Sequence, residues 1–498
     1  MDYHGDAGEG LLYGTEHDGS KKVDNADKFF ENVYRYFVAK GIGAIVLSEL
    51  CSVVTLGFTI SFSVFMLAFV DWGFLMQCHD EESCSDSIII HPFNEPPSMF
   101  RFFILLYFIL CFSYWIYTCV ASMNTVSEAL EMSTFYQDVL GIKLVELQHL
   151  EWFQVVDRII YINTHGEQRL VEKEDLTAHD IVLRIMRKEN YLVGLINKNK
   201  LDLFVPWWIS PFTTEHLFLT KSLEWSLSFC IMDYMFTENL YLSSEFINDV
   251  AGLQWRFQVV GLIHFLLLPF MLIFMAVNFF LQNAQQFHSS KAYLGPRQWS
   301  PLAMWKFREF NELPHVFDDR INRSLAPAND YINSFHNPYA AILARCATYV
   351  TGSFIATLLL VSLLSDGALL YVHVAEYNLL WYLGVFSACY AGARSLIPDE
   401  TKTQVSATVL LQQVCAHTHY FPAKWESLAR SEEVKNEVCE MFQYKAQLFL
   451  MELLSVVLTP AVLCFSLPAC ADSVLTFIRF ASLFLALHLF FHSFNIKQ

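Results

Sequence analysis

Apolar positions gather in four stretches, at about 42 to 70, 100 to 123, 340 to 364 and 377 to 395. A helix needs roughly 20 largely apolar residues to cross hydrocarbon, so these stretches predict four transmembrane helices. Two further apolar stretches are interrupted. Residues 256 to 282 carry Pro269 near their middle, and 448 to 492 carry Pro460, Pro468, Asp472 and Arg479. Proline removes a backbone donor, which lipid tolerates only where protein or water covers the freed groups. Residues 126 to 255 read as mostly helical. Thr177-Ala178-His179-Asp180 opens a run with Ile181, Ile185 and Leu192 on one face and Arg184, Arg187 and Lys188 elsewhere. Trp207-Trp208 has the character of an interfacial anchor.

The placement of Lys and Arg turns this pattern into a topology, because cytosolic loops collect them. Residues 71–99 hold Asp71, Asp80, Glu81, Glu82, Asp86 and Glu95 with no Lys or Arg, and 365 to 376 likewise hold only acids. Both are expected in the lumen. Residues 20 to 41, 126 to 255 and 283 to 339 are rich in Lys and Arg and are expected in the cytosol. With cytosol on both flanks, 256 to 282 must dip in and return, with Pro269 as its hinge, and 448 to 492 follows the same logic. The expected fold is an all-α integral membrane protein with four transmembrane helices, two re-entrant membrane segments and a helical cytosolic domain. Its parts are a cytosolic N-terminal segment 1–41 and the first two spans in 42–125, with their lumenal loop 71–99. The cytosolic domain 126–255, the re-entrant segment 256–282 and a cytosolic linker 283–339 follow. The third and fourth spans occupy 340–395, a cytosolic helical segment 396–447, and the second re-entrant segment with a cytosolic C-terminus 448–498.

Composition agrees with a membrane chain. Of 498 residues, 54% are hydrophobic and 16% charged, against about 25% charged in soluble domains. The formal charge of −18 argues against a nucleic-acid partner. Met1 to Gly10 is polar and acidic, unlike a cleavable signal. Twelve cysteines include no pair at zinc-ligand spacing, so no metal or cofactor is expected. Cys78 and Cys84 lie six apart in the acidic lumenal loop, where either a local disulfide or two free thiols fits. No phosphate-cradling G-x-x-x-x-G-K-[ST] loop and no G-x-S-x-G elbow is present. His315-Val316-Phe317-Asp318-Asp319 offers a histidine near acids, but without a partner motif an acyltransferase reading is weak. An enzyme is not expected.

The first apolar stretch carries Ser48, Ser52, Thr55, Thr59 and Ser63 at spacings of 4, 3, 4 and 4, hence on one helix face. Small hydroxyls on such a face serve interhelical hydrogen bonds, or they line a hydrated groove through which a lipid headgroup passes. Glu49 beside them weighs toward a groove, since a carboxylate at a helix centre costs about 2.5 to 3.5 kcal/mol and faces a cavity or partner. Arg345 and Arg394 fall at the cytosolic ends of the third and fourth spans. They are either positive-inside anchors or holders of lipid phosphate. Ala391, Gly392 and Ala393 allow close helix approach or an open lining near Arg394. The lipid-path candidates are thus Glu49, Ser52, Thr55, Thr59, Arg345, Gly392 and Arg394.

Several contiguous runs stand out along the chain. Phe29-Phe30-Glu31-Asn32-Val33-Tyr34-Arg35-Tyr36 precedes the first span and Val70-Asp71-Trp72 follows it. The strongest is Trp305-Lys306-Phe307-Arg308-Glu309-Phe310-Asn311-Glu312-Leu313-Pro314-His315, continued by Asp330-Tyr331-Ile332-Asn333-Ser334-Phe335 and by Arg394-Ser395-Leu396-Ile397-Pro398-Asp399. In order along the chain these runs resemble the autophagy protein nine family, and the resemblance implies an intertwined homotrimer of protomers with four spanning and two re-entrant helices. It implies an ATP-independent phospholipid scramblase on Golgi- and endosome-derived vesicles and at the phagophore assembly site, during autophagosome formation. The implied partners are phospholipids, a bridge-like lipid-transfer protein and autophagy-initiation factors. By matched position Arg394 and Gly392 fall near the family's internal pore. Trp305, Arg308, Asn311 and Glu312 belong to its cytosolic linker, where capping and bracing is the simpler role. The other class of function is a membrane scaffold that recruits lipid-transfer and kinase machinery without moving lipid itself.

Overall fold

A computed structural model of the chain describes residues 25–77, 99–165, 170–171, 175–204, 219–237, 242–289, 296–335, 338–364, 368–375, 377–395, 397 and 405–495. Cys78, Cys84 and the Trp207-Trp208 pair lie outside the described residues. Helix α1 (Ala26–Val38) is capped by Asn25, whose side chain accepts from the Lys28 amide at 3.0 Å, and it buries Phe29, Phe30, Val33 and Phe37. It turns into α2 (Ile42–Ala68) through Gly41, at φ 116°. At that φ an L side chain is strained, and a Cβ at Gly41 would also stand 2.3 Å from Leu144 Cδ1, so the side chain of Leu144 would have to shift. Helix α3 (Met99–Thr134) runs beside α2: the Trp115 indole donates to the Val53 carbonyl at 3.0 Å.

The domain after α3 is built from α4 (Trp152–His165), α5 (Ala178–Ile185), α6 (Arg187–Asn197) and α7 (Lys221–Leu227). Thr177 and Asp180 close a reciprocal capping box at the start of α5, and Ile181 is buried, as the pattern predicts. The expected continuous run to Leu192 instead breaks at Met186, a turn residue between α5 and α6.

Among the described residues, five helices are long and apolar enough to cross a membrane: 42–68, 99–139, 250–281, 339–364 and 445–481. The integral membrane, all-helical class therefore holds. The hinges do not. Residues 250–289 form one uninterrupted helix, α8 (Val250–Ser289), with Pro269 inside it. Similarly α15 (Lys445–Ala461) passes Pro460, widens into a π turn at Val462–Ser466 and continues as α16 (Leu467–Asn495). A proline removes a single donor, and a wider turn beside it absorbs the misfit without reversing the chain. The two rods lie antiparallel: Phe279 stacks on Phe449, and the Gln254 side chain donates to the Pro468 carbonyl at 3.0 Å. At Gly261 a Cβ would stand 2.6 Å from Cys464 Sγ, so the rods touch closely there.

Between the rods the chain forms strand β1 (Arg297–Trp299), α9 (Pro301–Phe307), α10 (Pro314–Asn333), α11 (Pro338–Leu364), α12 (Leu379–Ser395), α13 (Ala407–Thr418), α14 (Glu432–Met441) and strand β2 (Phe442–Tyr444). β1 and β2 pair antiparallel with Arg297 opposite Tyr444 and Trp299 opposite Phe442, which ties the linker to the base of α15. The fourth expected span, α12, has 17 residues and packs antiparallel on α11, with Phe354 stacked on Phe386 at 4.7 Å.

Three buried clusters hold the fold. One joins α1, the end of α3, α4 and α5; a second joins α6, α7, the start of α8 and parts of α15 and α16; a third joins β1, α9, α10, α13 and α14.

Candidate functional site

The linker motif meets all three clusters. Leu313 lies in the first, Trp305 in the second and Phe307 in the third. Its polar residues hold the corner between them. Asn311 adopts φ 62°, a left-handed conformation Asn tolerates, and exchanges two hydrogen bonds with Asn190 on α6, at 2.8 and 2.9 Å. The Arg308 guanidinium pairs with Glu189 and lies over the Trp305 ring at 5.3 Å. Burial raises the Glu189 carboxyl above its ordinary range, and Arg308 opposes that rise. Glu312 takes a two-point grip from Arg320, at 2.7 and 2.6 Å. Arg320 also donates to the carbonyls of His417 and Phe307. His315 Nδ1 lies 2.7 Å from the Tyr34 hydroxyl, which accepts from the His315 amide at 3.1 Å. Burial pushes Tyr34 up to about 12 and lowers His315 below its ordinary value, with Lys40 adding to the latter. A ring nitrogen already engaged by a tyrosine in a packed corner is braced rather than poised as a base.

The polar line on α2 divides. Ser48, Ser52 and Thr55 are exposed on the surface of the chain, whereas Thr59 and Ser63 are buried. Thr59 donates to the Thr55 carbonyl at 2.9 Å. The Ser63 hydroxyl donates to the Ile60 carbonyl at 2.8 Å and lies 2.8 Å from the Tyr107 hydroxyl of α3. The half toward Ser63 is thus turned inward, with Thr59 bonded within α2 and Ser63 joining α2 to α3, and only the half toward Ser48 presents hydroxyls outward. Glu49 accepts from the Ser122 hydroxyl of α3 at 2.7 Å, a partner the one-helix pattern does not reveal.

Arg345, Gly392 and Arg394 are exposed on the α11–α12 hairpin, whose antiparallel pairing brings both arginines to one end. A Cβ at Gly392 would meet nothing within 4 Å. This hairpin packs chiefly on itself, so the fold of the chain does not gather these three residues with the α2 line.

What the fold gathers instead is a cavity of about 1580 Å³ between α2–α3, α7, α8, α15 and the β1–β2 pair. Ligand pockets usually measure about 300 to 1,000 Å³. Apolar side chains line the stretch between the long helices, among them Ile60, Phe270, Phe274 and Leu448. Around α7 and β1–β2 the lining turns polar, with Lys221, Ser300, Lys306, Gln443 and Glu452. The Lys221 amide donates to Glu452 at 3.1 Å, and the Thr220 and Ser455 hydroxyls meet at 2.6 Å. Inside, His264 is 7% exposed and stacks on Trp225. An ionisable residue within an apolar run is a pointer to function. That signal is readable at His264, an ionisable residue inside the apolar run 256 to 282. Among the described residues no cluster of His, Cys, Asp or Glu is arranged to hold a metal.

Long apolar helices packed around an amphipathic cavity, over a helical domain pinned by one linker, define a polytopic α-helical membrane protein. The chain belongs to the autophagy protein ATG9 family, whose model matches residues 18–485. It is 34% identical to autophagy-related protein 9 of Arabidopsis thaliana, over 94% of this chain and 56% of that protein. It is 33% identical to that of Dictyostelium discoideum, over 91% of this chain and 64% of the relative. It thus spans between half and two thirds of these relatives' lengths. Among solved structures it is similar to Schizosaccharomyces pombe Atg9, with TM-score 0.66 and 27% identity, covering 91% of this chain and 94% of that one.

Proposed function

We propose that this chain is an ATP-independent phospholipid scramblase that equilibrates lipid between the leaflets of vesicles and of the growing phagophore during autophagosome formation. The observation that carries the reading is the amphipathic cavity, with its apolar lining between long helices and polar lining at one end. An ionised group moved alone into hydrocarbon costs tens of kcal/mol. A polar wall open to the bilayer lowers that cost while the acyl chains stay in lipid, and the flow then runs downhill without nucleotide. The exposed hydroxyls at Ser48, Ser52 and Thr55 and the arginines at one end of the α11–α12 hairpin extend such a wall when protomers assemble. The assembly we propose is a homotrimer with both termini in the cytosol. Its site is Golgi- and endosome-derived vesicles and the phagophore assembly site, and a bridge-like lipid-transfer protein and initiation factors are its partners.

The test is a dithionite assay on the purified protein in sealed liposomes carrying fluorescent phospholipid in both leaflets, without ATP. Bleaching well beyond half supports scrambling. Bleaching that stops near half overturns it and leaves a scaffold that recruits lipid-transfer and kinase machinery.

A further inference from the structure

The cavity has one polar corner that the fold leaves unfinished. Buried polar atoms are almost always hydrogen-bonded, and the neighbouring Thr220 hydroxyl follows that rule through Ser455. Ser222 Oγ and His264 Nδ1 do not: both line the cavity, both are buried, and neither has a hydrogen-bond partner. They share one wall. Ser222 and Trp225 are three residues apart on α7 and lie on the same face. The Trp225 indole stacks on the His264 imidazole with ring centroids 6.3 Å apart and planes 24° apart. Lys221 borders the same wall, with the Glu452 carboxylate held by its backbone amide.

We propose that Ser222 and His264 form a subsite for the phosphodiester of a phospholipid headgroup. This deepens the scramblase reading and rests on it. The Ser222 hydroxyl donates to one anionic oxygen, and the imidazole, with its proton on Nδ1, donates to another. Lys221 supplies compensating charge, and the Trp225 face packs on the glycerol carbons. An anion suits two unpartnered donors beside a lysine. The apolar continuation of the cavity suits acyl chains.

The experiment measures retained ligand rather than transport, by native mass spectrometry of the purified full chain. It is offered a short-chain phosphatidylcholine, the matching diacylglycerol, or inorganic phosphate. The expected result is retention of phosphatidylcholine over diacylglycerol, reduced about tenfold in S222A/H264F. The single S222A variant, a change of one atom, covers the case in which the double variant misfolds, and H264Q, which keeps a donor, retains more lipid than H264F. Competition by inorganic phosphate alone supports the anion subsite with a soluble source, and its failure to compete supports the lipid. Equal retention of the two lipids, or unchanged retention in every variant, overturns the proposal and leaves structural water as the partner of both atoms. Selective retention by a wild type that fails the dithionite assay sinks the scramblase reading and keeps the subsite. Scrambling with indifferent variants does the reverse.

Discussion

Replacing Glu312 with Leu should unlock the linker. Glu312 and Arg320 are 9% and 11% exposed, joined at two points, and Arg320 also satisfies the His417 and Phe307 carbonyls. Removing one partner of a buried pair strands the other charge, which costs about 3 to 5 kcal/mol. Since 1.36 kcal/mol is tenfold, the local opening equilibrium should shift by roughly two to four orders of magnitude. Hydrogen exchange of the amides in α10 and α13 reads this directly, because both helices pack in the cluster the pair borders. The double variant E312L/R320M should recover most of the loss, since an apolar pair of similar volume replaces a buried ion pair at little cost. Protection falling less than about fivefold in E312L would refute the reasoning. The pair would then be a solvent-screened bridge worth less than about 1 kcal/mol.

Asn311→Ala should destabilise more than Asn311→Gly. Both lose the bond that the Asn190 side chain donates to the Asn311 side chain and keep the one the Asn311 amide donates, but only alanine also bears the left-handed strain of about 1 to 2 kcal/mol; denaturation midpoints compare them. His315 is held below its ordinary value of 6.5 by burial, so the unfolded chain binds more protons in acid. Stability is full above about pH 6.5 and falls as pH drops through the lowered value. Midpoints at pH 7.5 and 5.5 should differ more in wild type than in His315→Asn. S52L/T55L should slow dithionite-detected scrambling while leaving thermal stability near wild type, because both side chains are exposed. Tyr107→Phe should instead cost about 1 kcal/mol of stability through the lost contact with Ser63.

Much of this protein was legible in one dimension. Hydropathy runs find the long helices because a helix in lipid must be apolar along its whole length, and α5 starts where its cap residues place it. The linker motif was visible as a pattern, but not why Asn311 is needed. Its partner Asn190 lies 121 residues away in sequence.

The sequence by itself therefore determined the class, the helices and the family, each of which depends on local composition or contiguous motifs. Only the tertiary structure decided that Pro269 and Pro460 sit in unreversed rods, since a proline's effect depends on what packs beside it. It likewise decided that the α2 line is half buried, that three clusters meet at one motif, and that residues from Ile60 to Glu452 enclose one cavity. Helical periodicity says which residues share a face and nothing about which face meets which. Burial, orphaned donors and cavities arise only where faces from distant parts of the chain come together.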